Sequence, residues 1–336
     1  MKTSQQPKNS RQAISENFQS EGNPPRVLIT GSTGMVGSYL QKSLSEKGLA
    51  VRGMARALSA QGAASNDIAS DHMDWSALLQ GVDTVIHCAG LASVPRHSSS
   101  AEKQRLYEVN RDATAKLARA CLDHGVRRLL FTSTAKVYGD YSSMGSPFFE
   151  DDPLRPTDAY GESKRQAETN LLEFREKGLE VCILRMPMVY GPDLSANLQL
   201  LHRLVASGLP IPLGSVRNRR SVLGVNNLGV IVDRLLRLDC WRFPILNLAD
   251  PEPVSTPELV RNIARTSSLP AKLVPFPLRI LKPVARLVGR ESMFHSLASN
   301  LELHCANLYT LFPDLVLEPT ASSLERLRGG LIRPDG

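Results

Sequence analysis

Short apolar runs alternate with longer amphipathic stretches along the first half of the chain. The runs are rich in Val, Ile and Leu, which is typical of strands that are covered on both faces of a sheet. Strands are predicted at residues 26–30, 49–52, 84–87, 129–132 and 181–185, and helices at 34–47, 104–124 and 160–177. Strands that alternate with helices form βαβ crossovers, so the pattern predicts an α/β fold, a parallel sheet with helices on both faces.

The pattern changes near residue 191, where prolines become frequent and the apolar runs become shorter. Residues 1–24 are polar, rich in Ser, Gln and Asn, and are predicted to be a disordered extension. We therefore predict an α/β domain over 25–190 and a smaller, mainly helical region over 191–336. This second region is expected to bind the substrate and to supply the last strands of the sheet.

Composition and charge exclude several classes of protein. The chain is 42% hydrophobic and 22% charged, so it is not disordered as a whole. The net charge is +7, but the basic residues are scattered and only 5% of residues are aromatic, so we expect no nucleic-acid partner. No apolar run is long enough for stable membrane insertion, and a cytoplasmic location is expected. The five cysteines are widely spaced, so no metal site is predicted.

Residues 278–290 have apolar residues at helical spacing and basic residues on the opposite side of the predicted helix. Such a basic amphipathic helix is able to rest on a membrane surface. Pro283 interrupts the pattern and the apolar stripe is short. We therefore expect the segment to pack within the smaller region.

Three glycines follow the first predicted strand and open the first predicted helix. Gly31, Gly34 and Gly37 stand in the segment TGSTGMVG with the spacing G-x-x-G-x-x-G. Gly31 permits a tight turn, Gly34 lets the backbone approach a pyrophosphate, and Gly37 lets the helix pack on the strand. The alternative is an ordinary glycine-rich turn, but the strand before and the helix after favour a dinucleotide site on a Rossmann-type doubly wound sheet.

The end of the second predicted strand bears on the choice of dinucleotide. An acidic residue there would accept a hydrogen bond from the ribose 2′-OH of NAD. The chain has Arg52 and Arg56 instead, which either face the 2′-phosphate of NADP or are simply solvated. Asp67 and Ile68 follow in a short turn that would contact the adenine amino group. The cofactor is therefore NAD or NADP, with the choice open.

Tyr160 and Lys164 are the candidate catalytic pair. They are four residues apart and therefore share one face of the predicted helix. A phenol with a pKa near 10 is a poor acid or base at neutral pH. A neighbouring ammonium group and a positive nicotinamide ring would lower that pKa toward the working range. Ser133 and Thr134 end a predicted strand upstream, where a hydroxyl would hold the reacting oxygen near the phenol.

Together these features resemble the extended short-chain dehydrogenase/reductases, in the NAD-dependent epimerase/dehydratase family that includes UDP-glucose 4-epimerase. The matching segments, spread over about residues 26–230, are TGSTGMVGSYL, NDI, DTVIHCAGLASV, VNRDATAKLARAC, LLFTSTAKVYGD, YGESKRQAE, LRMPMVYGP and VRNRRSVLGVNNL. The resemblance implies a Rossmann-type fold and hydride transfer at C4 of a UDP-hexose or UDP-N-acetylhexosamine. It also implies a homodimer.

The resemblance implies catalytic roles for three residues. Tyr160 would be the acid/base, and Lys164 would hold the nicotinamide ribose and lower the tyrosine pKa. Thr134 would position the substrate, with Ser133 as a weaker candidate.

Ligand-binding roles follow from the same resemblance. Arg220 would bind the diphosphate of the substrate, with Asn197 beside it. The implied cofactor-binding residues are Gly31, Thr33, Gly34, Met35, Val36, Arg56, Asp67, Ile68, Ala89, Gly90, Asn110, Tyr160, Lys164 and Pro187.

Departures from the family pattern leave the reaction open. The second strand lacks its acidic residue, the segment RMPM at 185–188 lacks an Asn, and Asn227 replaces a common Asp. The segment that contains Lys136 resembles a bacterial surface-polysaccharide branch of the family. This branch includes NADPH-dependent reductases of UDP-4-keto-6-deoxy-N-acetylhexosamines. A UDP-glucose 4-epimerase-like enzyme is the leading hypothesis and such a reductase is the alternative. A non-catalytic dinucleotide-binding regulator is the alternative from a different class.

Overall fold

The structure is a computed structural model that describes most of the chain after the predicted N-terminal extension. The described residues are 26–55, 57–58, 64–65, 67–70, 73–91, 99–192, 196–287, 289 and 291–326. The extension predicted at residues 1–24 and the predicted cofactor residue Arg56 lie outside them.

The described strands build one large sheet and two small ones. They are β1 (Arg26–Thr30), β2 (Ala50–Met54), β3 (Ala57–Leu58), β4 (Ala64–Ser65), β5 (Thr84–His87), β6 (Arg128–Thr134), β7 (Glu180–Met186), β8 (Met188–Tyr190), β9 (Val222–Gly224) and β10 (Ile245–Asn247). Six of them form a parallel sheet in the order β10-β7-β6-β5-β1-β2. β3 pairs with β4, and β8 pairs with β9.

The helices alternate with these strands in the first half and dominate the second. They are α1 (Met35–Glu46), α2 (Trp75–Leu79), α3 (Ser100–Tyr107), α4 (Ala113–Asp123), α5 (Ala159–Glu176), α6 (Ala196–Ala206), α7 (Val225–Leu236), α8 (Thr256–Thr266), α9 (Leu278–Leu287), α10 (Glu291–Ala298), α11 (Ala306–Leu311) and α12 (Thr320–Arg326). A π-helical turn (Glu108–Asp112) joins α3 to α4. The helix predicted at 104–124 is therefore confirmed, with a π-helical turn inside it. The predicted parallel α/β sheet is confirmed as well.

Helices cover both faces of the large sheet. On one face, Leu40 of α1, Leu228 of α7 and Leu308 of α11 belong to one buried cluster. On the other face, Leu117 of α4 and Leu171 of α5 belong to a second cluster. The sheet interior is therefore apolar on both sides, and this double cover fixes the carboxyl ends of the strands where the candidate site lies.

The second half has its own apolar cluster and also contributes to the sheet. Leu201 of α6, Ile263 of α8 and Leu324 of α12 pack around Tyr190, the last residue of β8. Strand β10 comes from this half and pairs with β7. No helix among the described residues is long and apolar enough to cross a bilayer.

The strand order reverses at β1, because β2 lies on one side of it and β5 on the other. In open α/β sheets, ligands bind at such a switch point, beyond the carboxyl ends of the strands. The switch point therefore directs attention to the segments that follow β1 and β5.

Candidate active site

The glycine-rich turn after β1 lies at the switch point. Gly31 has a φ of +72°, and a Cβ there would lie 2.6 Å from the Ala89 nitrogen after β5. A Cβ on Gly37 would lie 2.3 Å from the Gly31 carbonyl oxygen, so α1 packs directly on the turn. A Cβ on Gly34 would meet only that same oxygen, at 3.4 Å. Gly31 and Gly37 therefore fix the turn, while Gly34 faces open space.

The first turn of α1 is suited to an anion. Among the described residues, no side chain caps this helix, and its first turn contains no acidic residue. Helix N-termini carry unpaired N–H groups and partial positive charge, so they attract phosphate. The turn borders a cavity of about 210 Å³, which fits the residues expected to hold a dinucleotide pyrophosphate.

The cavity wall contains half of the predicted cofactor set. Seven of the predicted residues line it: Gly31, Thr33, Gly34, Asp67, Ile68, Ala89 and Gly90. Five further residues that the sequence analysis missed also line it: Met54, Ala55, Cys88, Leu91 and Val109. Met54 and Ala55 lie at the end of β2, and Cys88 and Leu91 lie in the segment that follows β5. Their position at strand ends beside the switch point is the sequence signal that could have identified them.

The remaining predicted cofactor residues lie elsewhere. Met35 and Val36 begin α1, and Pro187 is buried between β7 and β8. Asn110 lies in the π-helical turn, and its side chain is fully buried. None of these four side chains lines the cavity in the described part of the chain.

The charged residues near the adenine end are already engaged. The exposed Arg52 guanidinium donates to the Leu78 carbonyl oxygen. One Asp67 carboxylate oxygen accepts from the Ala69 N–H at 3.0 Å, and the other pairs with Arg105 at 2.7 Å. The described residues therefore show Arg52 directed toward α2, and they leave the choice between NAD and NADP open.

Tyr160 and Thr134 are brought together at the end of β6. Asp158 caps α5 by accepting from the Gly161 N–H at 2.7 Å, and this cap places Tyr160 in the first turn. The Thr134 side chain lies close enough to the Tyr160 phenol to influence its pKa. The Thr134 oxygen also accepts from the Lys136 N–H at 3.3 Å. The predicted contact between a hydroxyl and the phenol is therefore present.

The pKa of Tyr160 departs from the sequence-based expectation. Burial raises this pKa to about 12, the nearby Thr134 hydroxyl opposes the shift, and the Asp158 carboxylate adds to it. The expected lowering by Lys164 is absent in the protein by itself. The phenol is consequently a stable proton donor at neutral pH.

Lys164 connects Tyr160 to the cofactor cavity. Its ammonium group is buried, donates to the Thr132 carbonyl oxygen at 3.0 Å and lies 4.4 Å from the centre of the Phe131 ring. Burial lowers the pKa of Lys164 to about 8, against the opposing influence of Cys88 and Glu168. A Cβ on Gly90 would lie 3.3 Å from the ammonium nitrogen, so the lysine reaches the cavity wall.

Asn110 connects the segment after β5 to helix α5 through hydrogen bonds of its side chain. Its side-chain nitrogen donates to the Leu91 carbonyl oxygen and to the Ser163 hydroxyl, both at 3.0 Å. Its side-chain oxygen accepts from the Leu91 N–H at 2.8 Å. The π-helical turn thus fixes the segment after β5 against α5, the helix that carries Tyr160 and Lys164.

Ser133 does not reach the cleft. Its side chain is buried and donates to Glu168, which forms an ion pair with Arg185 at 2.8 Å. Arg185 also donates to the Tyr138 hydroxyl at 2.8 Å, and that hydroxyl donates to Asn247 at 2.8 Å. The predicted substrate contact of Ser133 stays a prediction, and in this structure its hydroxyl supports the end of the sheet.

His87 is structural at neutral pH. Its ring nitrogens lie 2.6 Å from the Thr30 hydroxyl and 3.0 Å from the Thr114 hydroxyl. Burial, assisted by the charge of Lys164, lowers the pKa of His87 to about 3, so the ring is neutral. In the described ranges, no group of three or more His, Cys, Asp or Glu side chains is placed to hold a metal ion.

Arg220 lies partly buried in the second half. It donates to the Ser299 carbonyl oxygen at 2.9 Å. Burial lowers the pKa of Arg220 to about 10, and Asp140 opposes this shift. In the part of the chain that the structure describes, no carboxylate forms an ion pair with this guanidinium within 4 Å. A cation withdrawn from water favours an anionic ligand.

A second cavity of about 500 Å³ lies next to Arg220, since Ser299 lines it. Arg217 and Asn218 also contribute to its wall. Asn197, the second residue of α6, was predicted to lie near the diphosphate, but its side chain is outside the described residues. The structure therefore supports a basic second cavity without placing Asn197 in it.

These features define the class of protein. A parallel sheet whose switch point holds a glycine-rich turn, and whose strand end presents a threonine to a tyrosine, is the arrangement of a dinucleotide-dependent short-chain dehydrogenase/reductase. The chain belongs to the NAD dependent epimerase/dehydratase family, whose model matches residues 27–239.

Individual relatives agree with this assignment. The UDP-glucose 4-epimerase of Vibrio cholerae is 33% identical over 287 residues, which cover 83% of this chain and 87% of that protein. The structure of MoeE5 in complex with UDP-glucose and NAD has a TM-score of 0.71 at 23% identity, covering 91% of this chain and 98% of that one. A dTDP-4-dehydrorhamnose reductase from Bacillus anthracis in complex with NADP has a TM-score of 0.71 at 20% identity, covering 90% and 98%. The two structural likenesses show the shared fold.

Proposed function

We propose that the protein is an NAD(P)-dependent nucleotide-sugar epimerase that acts at C4 of a UDP-hexose or UDP-N-acetylhexosamine. The observation that carries this proposal is the proximity of the Thr134 hydroxyl to the Tyr160 phenol, with Lys164 one helical turn further on. The Vibrio cholerae relative, a UDP-glucose 4-epimerase, supports a UDP-sugar as the substrate. Arg220 supports it as well, because its guanidinium lacks a carboxylate partner among the described residues.

The residues present fit a nicotinamide dinucleotide. The pyrophosphate would bind at Gly34 and the first turn of α1, the adenine near Asp67 and Ile68, and the nicotinamide ribose near Lys164. When bound, NAD(P) accepts or supplies the hydride at C4, and its oxidised ring adds a positive charge.

The protein's own residues orient the sugar and move one proton. The Thr134 hydroxyl would hold the reacting C4 oxygen beside the phenol. In the oxidising direction, the Tyr160 oxygen takes the proton of the 4-OH group, and in the reducing direction it returns a proton to the same oxygen. Epimerisation needs both steps, with the 4-keto sugar turned over between them. Because burial raises the pKa of Tyr160 to about 12, the proton is in place for the reducing step.

A reductase is the second candidate. Its reaction would be the NADPH-dependent reduction of a UDP-4-keto-6-deoxy-N-acetylhexosamine, which needs only the reducing step. The observation that favours it is the end of β2, where Met54 and Ala55 line the cavity without a carboxylate for the ribose 2′-OH of NAD. The third alternative, a non-catalytic regulator, has no use for the contact between Thr134 and Tyr160. On the family resemblance, we also propose a cytoplasmic location and a homodimer.

The test begins with denaturation of the purified full chain and identification of any dinucleotide that is released. Retained NAD and interconversion of UDP-glucose with UDP-galactose are the results expected for the epimerase. Binding of NADPH and its oxidation by a UDP-4-keto sugar are the results expected for the reductase.

The variant that tests the catalytic role is Tyr160→Phe, which removes only the phenolic oxygen. We expect turnover to fall by about 10³-fold while dinucleotide binding persists, since acid–base catalysis contributes about 10²–10⁴-fold. Wild-type turnover in Tyr160→Phe would refute the proton-transfer role. Absence of a thermal shift with both dinucleotides would refute the cofactor assignment.

A further inference from the structure

Helix α9 exposes an apolar strip. Ile280, Val284 and Leu287 are 51%, 49% and 88% exposed, and their spacing of four and three residues puts them on one side of the helix. Leu278 and Leu281 pack instead against the apolar cluster of the second half. The helix is therefore attached to the protein along one edge and presents a second apolar edge outward.

The polar side of α9 carries only positive charge. Arg279, Lys282 and Arg286 are exposed, and their spacing puts them on one side of the helix. Arg286 makes only a loose, exposed contact with Glu291 at 3.9 Å. The side chains of Arg279 and Lys282 enter no ion pair within 4 Å in the described ranges.

The surrounding sequence reinforces this charge. From residue 259 to residue 290 the chain has no Asp or Glu and seven basic residues: Arg261, Arg265, Lys272, Arg279, Lys282, Arg286 and Arg290. The whole chain has a net charge of +7. The net charge of residues 259–290 is thus as large as the net charge of the whole chain.

An exposed apolar strip beside a row of cations is suited to the surface of an anionic bilayer. Apolar side chains enter the boundary between headgroups and acyl chains, while Lys and Arg meet the anionic headgroups. A second copy of the chain is a poorer occupant, because a two-fold contact would bring the same cations of both copies together. We propose that α9 docks this protein on an anionic lipid surface.

The docking face borders the second cavity. Leu278, the first residue of α9, lines this cavity together with Arg217 and Ser299. Ser299 is also the residue whose carbonyl oxygen accepts from Arg220. A lipid surface in contact with α9 would therefore lie beside the cavity that adjoins the candidate diphosphate-binding arginine.

The experiment is co-sedimentation of the full-length protein with vesicles. One set contains equal parts of phosphatidylglycerol and phosphatidylcholine, and the other contains phosphatidylcholine alone. We expect wild type to bind the anionic vesicles at least about 10-fold more tightly, and salt to weaken this binding. The readout needs no turnover, so it succeeds or fails independently of the proposed enzymatic function.

Two double variants and one control separate the apolar and electrostatic contributions. Ile280→Asp with Val284→Asp, and Lys282→Glu with Arg286→Glu, should each weaken binding to anionic vesicles by at least about 10-fold. Val316→Asp changes a residue that is 87% exposed and lies outside α9, so it should bind like wild type. All variants should keep the wild-type melting temperature within about 2 °C, because the changed side chains are solvent-exposed.

Three outcomes would overturn the proposal. The first is equal binding, or no binding, of wild type to the two kinds of vesicle. The second is a loss in Val316→Asp as large as that in the α9 variants. The third is conversion of a dimer to a monomer by the Ile280 and Val284 changes, seen by light scattering, with vesicle binding unaltered. This last result would assign the face to a second copy of the chain.

Discussion

Charged side chains are used in opposite ways at the end of the sheet and around Arg220 and helix α9. At the sheet end, Glu168 and Arg185 are almost completely buried and pair with each other. In the second half, Arg220 donates to a single carbonyl oxygen, and the cations of α9 face outward. Charges with protein partners fix geometry, whereas charges without them are available to ligands.

The largest effect is expected for Glu168→Ala, which removes one member of the buried ion pair. Arg185 would keep only neutral partners while buried, and loss of one member of a buried pair costs about 3–5 kcal/mol. We expect the free energy of unfolding, measured with denaturant, to fall by that amount.

Glu173→Ala on the same helix is the control, because this glutamate is exposed and its loss should cost less than about 0.5 kcal/mol. Equal losses in the two variants would contradict the structural role of the buried pair.

A smaller effect, on binding, is expected for Arg220→Met. Charge-assisted hydrogen bonds are worth about 1.5–3 kcal/mol, so the KM for the nucleotide sugar should rise by about 10–100-fold. The melting temperature should stay constant or rise, because a partly buried cation without a carboxylate partner is removed.

Steady-state kinetics and a thermal melt measure these two quantities. Arg127→Met should change neither of them, because this exposed arginine directly precedes β6, at the end of the strand opposite Thr134. An unchanged KM with a large drop in melting temperature would make Arg220 a structural residue.

The smallest expected effect is a displaced pH profile in Asp158→Asn. Asn still caps α5, but the carboxylate that raises the pKa of Tyr160 is lost, and Lys136 loses its partner at 2.5 Å. Loss of the carboxylate favours the phenolate and lowers the pKa of Tyr160. The rate of the oxidising reaction, which needs the phenolate, should therefore rise at a lower pH than in wild type.

The measurement is the initial rate of oxidation from neutral to alkaline pH. Asp151→Asn, at an exposed site in the loop before α5, provides the reference profile. A displacement to higher pH, or one equal to that of Asp151→Asn, would show that Asp158 does not act on the phenol.

Local pattern was sufficient for the strands and for the catalytic face of α5. β1 and β5 begin and end at the predicted residues, because buried parallel strands are continuous apolar runs. Tyr160 and Lys164 share a face because a helix repeats every 3.6 residues. The helix predicted at 104–124 is present, but its π-helical turn at Asn110 was not predicted, because that side chain bonds to Leu91 and Ser163 from distant parts of the chain.

Burial and its electrostatic effects lay beyond the reach of local pattern. Periodicity predicts that a helix has an apolar side but not what covers it: Leu278 and Leu281 of α9 pack as expected, whereas Ile280 and Val284 are half exposed. Similarly, four-residue spacing predicts that Lys164 is near Tyr160 but not that burial raises the pKa of Tyr160 to about 12. Both corrections depend on neighbours far away in the sequence.

The hydrogen bond from Tyr138 to Asn247 has a consequence for biosynthesis, since it joins residues 109 positions apart. Glu150 likewise accepts from the backbone of Asn307, 157 positions later. Contacts of such long range form slowly and only after the later segment has left the ribosome. The strand end that carries Thr134 is thus completed among the last events of synthesis, and a nascent chain that stops before residue 307 has all three candidate catalytic residues but an unfinished site.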